Sequence, residues 1–122
     1  MKLDELLPLL EEMVCKIEEL DGYLFIDRLD EGAAKLHQKQ EEYATPSEAQ
    51  RWMNTVLIDL LITDLVGDEW ELTDPAVNEL LSIFESVWSY QVHAKYPRAR
   101  FKINRIIDIE CGDVGLQLLS LP

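Results

Sequence analysis

Residues 98–118 read RARFKINRIIDIECGDVGLQL, and the spacing of apolar residues within them decides the fold class. Ala99, Phe101, Ile103, Ile107, Ile109 and Cys111 alternate with Arg100, Lys102, Asn104, Asp108 and Glu110. That period of two fits a strand with one buried face. Gly112-Asp113 is a pair suited to a two-residue turn. Closing the chain there sets Cys111 opposite Val114, Ile109 opposite Leu116, Ile107 opposite Leu118 and Asp108 opposite Gln117. One face is then apolar and the other polar, so a C-terminal β-hairpin is expected. In this register Pro122 faces Ile103, and the residues before Ile103 overhang. Such an edge has to be paired, covered or guarded by charge. Arg98, Arg100, Phe101 and Lys102 are therefore expected to form a self-association edge.

Upstream of Pro97 the period lengthens to that of helices. Leu3, Leu6, Leu7, Leu10, Met13, Val14, Ile17 and Leu20 recur at steps of three and four, which predicts a first helix over about Asp4 to Leu20. Glu11, Glu12, Glu18 and Glu19 fall on its opposite face with Cys15 among them, and Asp21-Gly22 reads as its end. Tyr23-Leu24-Phe25-Ile26 fits either a short buried strand or the lead into a second helix. That helix is expected over roughly Asp30 to Tyr43 with Asp30 as cap. Its thin stripe of Ala33, Leu36 and Tyr43 suits a peripheral element or a partner surface.

Thr45-Pro46-Ser47-Glu48 starts a third helix, with Thr45 as cap and Pro46 at the first helical position. It is expected to run to about Val66 and stop at Gly67. Ala49, Trp52, Met53, Val56, Leu57, Leu60 and Leu61 line one face, and Ile58, Ile62 and Leu65 add apolar surface elsewhere. A helix apolar nearly all round belongs in the centre of a fold. Glu69-Trp70-Glu71-Leu72 alternates like a short strand. Asp74-Pro75 repeats the cap-and-proline start, and a fourth helix carries Val77, Leu80, Leu81, Phe84, Val87 and Trp88 to about Ala94. The expectation is a single α+β domain over residues 1–122, with about four helices on a small antiparallel sheet.

Composition limits the functions. The 122 residues are 48% hydrophobic and carry a net charge of −13. Disordered acidic chains lack that apolar content. Residues 1–50 hold 13 acids against 5 bases, an excess of 13 − 5 = 8. By contrast, no acid occurs between Ser86 and Ile107, where Lys95, Arg98, Arg100, Lys102 and Arg105 lie. The overall charge repels phosphates, so direct nucleic-acid binding and anionic membrane surfaces are not expected. Val56 to Val66 is interrupted by Asp59 and Asp64, well short of the ~18 apolar residues of a membrane span. No basic start followed by an apolar run marks a secretion signal. A cytoplasmic protein is expected. Cys15 and Cys111 then stay unpaired, Cys15 exposed on a polar helical face and Cys111 protected on the apolar strand face.

Catalytic constellations are missing from the sequence. No phosphate loop, dinucleotide fingerprint or nucleophile elbow occurs. His37 and Glu41 lie one turn apart with no third ligand near, and His93 sits late on the fourth helix, so no metal or cofactor is expected. Asp64 projects from an apolar face and is expected to reach solvent or a basic partner. The reading that remains is a non-enzymatic module that binds another, basic protein. Glu11, Glu12, Glu18 and Glu19 would steer the encounter, and Tyr23, Phe25 and Tyr43 would anchor it. In size and charge the chain resembles small acidic bacterial toxin-neutralising immunity proteins, a likeness that no motif carries. Its implication is an inhibitor or immunity-type role. The alternative is a homo-oligomeric structural or regulatory subunit joined through the 98–102 strand.

Overall fold

The chain changes element more often than its periodicity predicts. The computed structural model describes Asp4 and residues 7–122; Leu3 and Leu6 of the first predicted stripe lie outside them. The described residues form a mixed α+β fold of five helices and two small antiparallel sheets. Their order is α1 (Leu7–Met13), β1 (Lys16–Leu20), β2 (Tyr23–Asp27), α2 (Ala33–Gln40), α3 (Pro46–Met53), β3 (Thr55–Leu57), α4 (Asp59–Val66), α5 (Pro75–Lys95), β4 (Phe101–Asp108) and β5 (Asp113–Ser120).

The first predicted helix is half strand. Asp21 and Gly22 have φ of 51° and 85°, the two left-handed residues of a tight hairpin turn, and they join β1 to β2 with Leu20 opposite Tyr23. The pair ends a strand here, not a helix. Ile17 and Ile26 oppose each other and belong to the main core, while Leu20 and Phe25 belong to a second cluster with Leu36 and Ala49. The hairpin is therefore buried on both faces, which is why Tyr23–Ile26 shows no alternation. Asp30 does not cap α2. The buried Asp27 carboxylate accepts the N–H groups of Glu31 and Gly32 at 3.0 and 2.9 Å ahead of it, and Asp30 pairs with Lys16 at 2.7 Å.

The third predicted helix is two helices split by a strand. Thr45 Oγ1 accepts Glu48 N–H at 3.1 Å and Pro46 opens α3 as expected, but α3 ends at Met53. Asn54, 0% exposed, then turns the chain into β3. In the β1–β2 register the backbone groups of Leu24 and Ile26 point away from β1. Side chains satisfy them. Asn54 Oδ1 accepts Ile26 N–H at 2.8 Å, and Asn54 Nδ2 donates to the carbonyls of Leu24 at 2.7 Å and Leu118 at 3.0 Å. Gln50 Nε2 donates to Leu24 O and Ser120 Oγ, and Ser120 Oγ accepts Leu24 N–H. Buried amides thus join two sheets that share no backbone ladder. The fold spends two buried amide side chains here, and each needs partners to offset its burial.

The second sheet has strand order β3-β5-β4. Gly115 sits where β3 crosses closest. A Cβ there would collide with the Val56 carbonyl oxygen and with Leu57. α5 starts on the Asp74 cap, whose Oδ1 accepts Ala76 N–H at 2.9 Å. It buries Val77, Leu81, Phe84, Trp88 and Val92 in one cluster with Val114, Leu116 and Leu118. Each such side chain contributes about 1.5–3 kcal/mol. Residues 69–72 form no strand; Asp74 N–H closes a turn on Glu71 O.

The C-terminal hairpin is present in a shifted register. Asp108 opposes Asp113, and Ile107 opposes Val114 rather than Leu118. The loop is Ile109–Gly112. It closes because the Asp108 carboxylate accepts the N–H groups of Glu110 and Cys111 at 3.1 and 3.2 Å and Gly112 takes φ 76°. Ile107's partner moves by four residues, an even number, so the apolar face is kept. Phe101 and Lys102 now pair with Ser120 and Leu119, and Arg100 O accepts Leu121 N–H at 2.8 Å. The expected overhang at Phe101 and Lys102 does not exist.

Candidate docking surface

A groove of about 480 Å³ runs between the end of β2, α2 and α3. Its floor is Ile26, Leu36 and Met53, which carry the hairpin's packing onto the helices. Trp52 and Leu29 form its walls, 62% and 71% exposed. The other tryptophans are used internally. Trp88 lies in the core, and Trp70 donates its indole N–H to Thr63 Oγ1 at 2.9 Å. α3 turns Ala49 and Gln50 inward, so Trp52 rides on its outer side, one turn beyond the exposed Glu48. Two ion pairs border the groove: Arg28 with Glu12 at 2.5 Å and Lys39 with Glu31 at 3.0 Å.

This geometry redistributes the residues singled out in the sequence. Phe25 is 0% exposed and cannot anchor a partner. Tyr23 and Tyr43 are half-buried against the Phe25 cluster, and Tyr23 Oη lies 3.4 Å from Ser47 Oγ. Glu12 borders the groove, and Glu11 lines a smaller cleft beside it with Leu29. Glu18 and Glu19 are elsewhere, on β1. Glu18 binds Lys95 at 3.1 Å and Tyr96 Oη at 3.2 Å, and Glu19 N–H donates to Tyr96 Oη at 3.1 Å. The four glutamates do not share one face.

Glu19, Lys95, Arg98 and Arg100 line a second cleft of about 470 Å³ beside the hairpin turn. Arg98 and Lys102 are exposed, Arg100 reaches the Pro122 carbonyl at 3.2 Å, and Phe101 lies against His93 with ring centroids 5.2 Å apart. Hydrogen bonding to Glu18 raises the Lys95 pKa.

The cysteines exchange roles. Cys15 is buried, and burial followed by the charge of Glu12 pushes its thiol up to about 12. Cys111 is exposed in the turn, and the charge of Asp108 comes first in raising it. Neither is a ready thiolate. Asp108, Cys111 and Asp113 offer ligand atoms within 4.8 Å of one another, the one such group among the described residues. The Asp108 carboxylate there already accepts two turn N–H groups. His37 and Glu41 share a shallow cleft with Asp21, and Asp64 is exposed.

No protein-family model, curated protein or solved structure matches this chain.

Trp52 and Leu29 were missed as surface residues because helical periodicity assigned Trp52 to a buried stripe. Neither residue carries a sequence signal of exposure: Trp52 stands at helical spacing from Ala49 and Val56, and Leu29 is a lone apolar residue between Arg28 and Asp30.

Proposed function

We propose that this protein is a non-enzymatic binding module that docks a basic partner protein on the Trp52–Leu29 groove. The observation that carries the reading is Trp52 itself, 62% exposed beside an apolar floor and bordered by ion pairs. Tryptophan is the side chain most enriched at binding hot spots, and a polar rim that excludes water strengthens what it encloses. Arg28 and Lys39 are already neutralised by Glu12 and Glu31, and the exposed Glu11 and Glu48 favour a cationic partner against the exposed Arg51 beside Trp52. With a net charge of −13, long-range steering favours the same sign of partner. An inhibitor or immunity-type role follows if the docked surface is the partner's own basic active site.

Affinity capture from the source cell tests this, with wild type, Trp52→Ala and Tyr90→Ala as baits. Tyr90 is 76% exposed on α5 and serves as an aromatic control away from the groove. Loss of a hot-spot tryptophan costs about 2–4 kcal/mol, or roughly 30- to 1000-fold in Kd. A basic protein retained by wild type and Tyr90→Ala but lost by Trp52→Ala supports the reading. Equal retention by all three overturns it.

A further inference from the structure

We infer that the free edge of β4 pairs with the same edge of a second copy, in one defined register centred on Asn104. β4 is eight residues long and pairs with β5 alone. Its even-numbered residues bond to β5, as the Leu121 N–H to Arg100 O bond in the same ladder fixes. The N–H and C=O groups of Phe101, Ile103, Arg105 and Ile107 therefore face away from β5. No hydrogen bond from another element reaches them among the described residues. The strand contains no proline, and no acid before Asp108.

A two-fold axis through Asn104 sets opposed positions to a sum of 104 + 104 = 208. Ile103 then exchanges backbone bonds with the partner's Arg105, and Phe101 with the partner's Ile107. All four outward-facing residues of each copy are satisfied together, and one three-stranded sheet becomes a continuous six-stranded one. Charge fits the same register. Arg100 falls opposite the partner's Asp108, and Lys102 falls diagonal to it. Arg105 brings no free charge to the seam, because Glu85 holds it at 2.6 Å. The axis is perpendicular to the sheet, so the two α5 helices lie side by side. Arg105 binds Ser82 and Glu85, and Phe101 meets His93, so that flank of α5 runs along β4. Ser86 and Ser89 lie on it and present small side chains toward a neighbouring helix, while Ser82 is covered by Arg105. Arg98 lies outside this interface, while Arg100, Phe101 and Lys102 remain in it.

Register makes the test decisive. Asn104 faces its own copy as a non-hydrogen-bonded pair, with Cα atoms about 4.5 Å apart. That separation accepts a disulfide. Two copies of Lys102 are four strand positions apart, roughly 13 Å. In a Cys111→Ser background, Asn104→Cys is expected to form a covalent dimer on mild oxidation, and Lys102→Cys is expected to form no cross-link. Sedimentation equilibrium is expected to give a dimer for wild type. Ile107→Pro removes an N–H that faces the edge and not β5, at a residue 41% exposed. It is expected to weaken the dimer at least tenfold with an unchanged circular dichroism spectrum, and the cysteine pair decides if that variant does not fold. A wild type that stays monomeric at the highest attainable concentration overturns the inference. So does equal cross-linking at 102 and 104, or an undiminished dimer in a folded Ile107→Pro protein. None of these residues lines the Trp52 groove, so either proposal can fail without the other.

Discussion

Replacing Asn54 by alanine removes one of the two amides that join the β1–β2 hairpin to the second sheet. Three hydrogen bonds go, to Ile26 N–H, Leu24 O and Leu118 O. The losses are unequal. Leu24 O keeps its bond from Gln50 Nε2 at 2.9 Å. Ile26 N–H and Leu118 O keep no protein partner among the described residues, and the site is fully buried. An orphaned buried polar group costs about 1–3 kcal/mol. Two give about 2–6 kcal/mol, a large share of the roughly 5–15 kcal/mol that holds a domain together. Asn54→Asp is expected to be at least as damaging. It keeps an acceptor for Ile26 but turns a carboxylate toward two carbonyl oxygens. Urea unfolding followed by tryptophan fluorescence and far-ultraviolet circular dichroism measures the loss, with the exposed Glu42→Ala as a control expected within about 0.5 kcal/mol. A loss below about 1 kcal/mol in Asn54→Ala would mean that backbone packing, and not this amide, connects the two sheets.

Gly115→Ala is expected to cost about 1–3 kcal/mol or more, since the new methyl meets the β3 backbone rather than a movable side chain, and thermal unfolding reads the shift. Both thiols are expected free, with only Cys111 labelled in the native protein and Cys15 labelled after denaturation; fast native labelling of Cys15 would contradict its burial. A raised thiol pKa means less thiolate at a given pH, so Cys111 alkylation should be slower than that of a free cysteine near neutrality and should accelerate as pH rises through and beyond the ordinary thiol range. Added salt should speed it by screening Asp108.

The sequence makes the helix starts legible wherever capping chemistry is local. Thr45-Pro46 and Asp74-Pro75 need only their own neighbours, and α3 and α5 begin there. Gly67 likewise ends α4 with φ 85°. The C-terminal strands are legible because period two over many residues has few alternatives. Their register is not, because Gly112-Asp113 resembles a turn while the Asp108 carboxylate, four residues earlier, builds a longer one. Two strands are hidden by coincidence of period. The step of three from Ile17 to Leu20 suits one helical face, yet in β1 it also puts Ile17 in the main core and Leu20 in the second cluster on the opposite side. Asp21-Gly22 serves a helix end or a hairpin equally well, and only a partner strand decides. β3 is three residues long and exists because Asn54 finds partners in β2 and β5, 28 and 64 positions away. The Trp52–Leu29 groove was hidden for the same reason. Once α3 stops at Met53, the stripe that would have buried Trp52 no longer continues, and the indole is left outside.

The most direct test places a photo-cross-linking amino acid at Trp52, and separately at Tyr90, in the protein expressed in its own cell. A cross-link from position 52 to one predominant basic protein is expected, missing from position 90 and lost when Leu29 is changed to Ser. Cross-links of equal yield and identity from both positions, or an adduct that Leu29→Ser leaves intact, would contradict the claim that the Trp52–Leu29 groove is where this protein meets its partner.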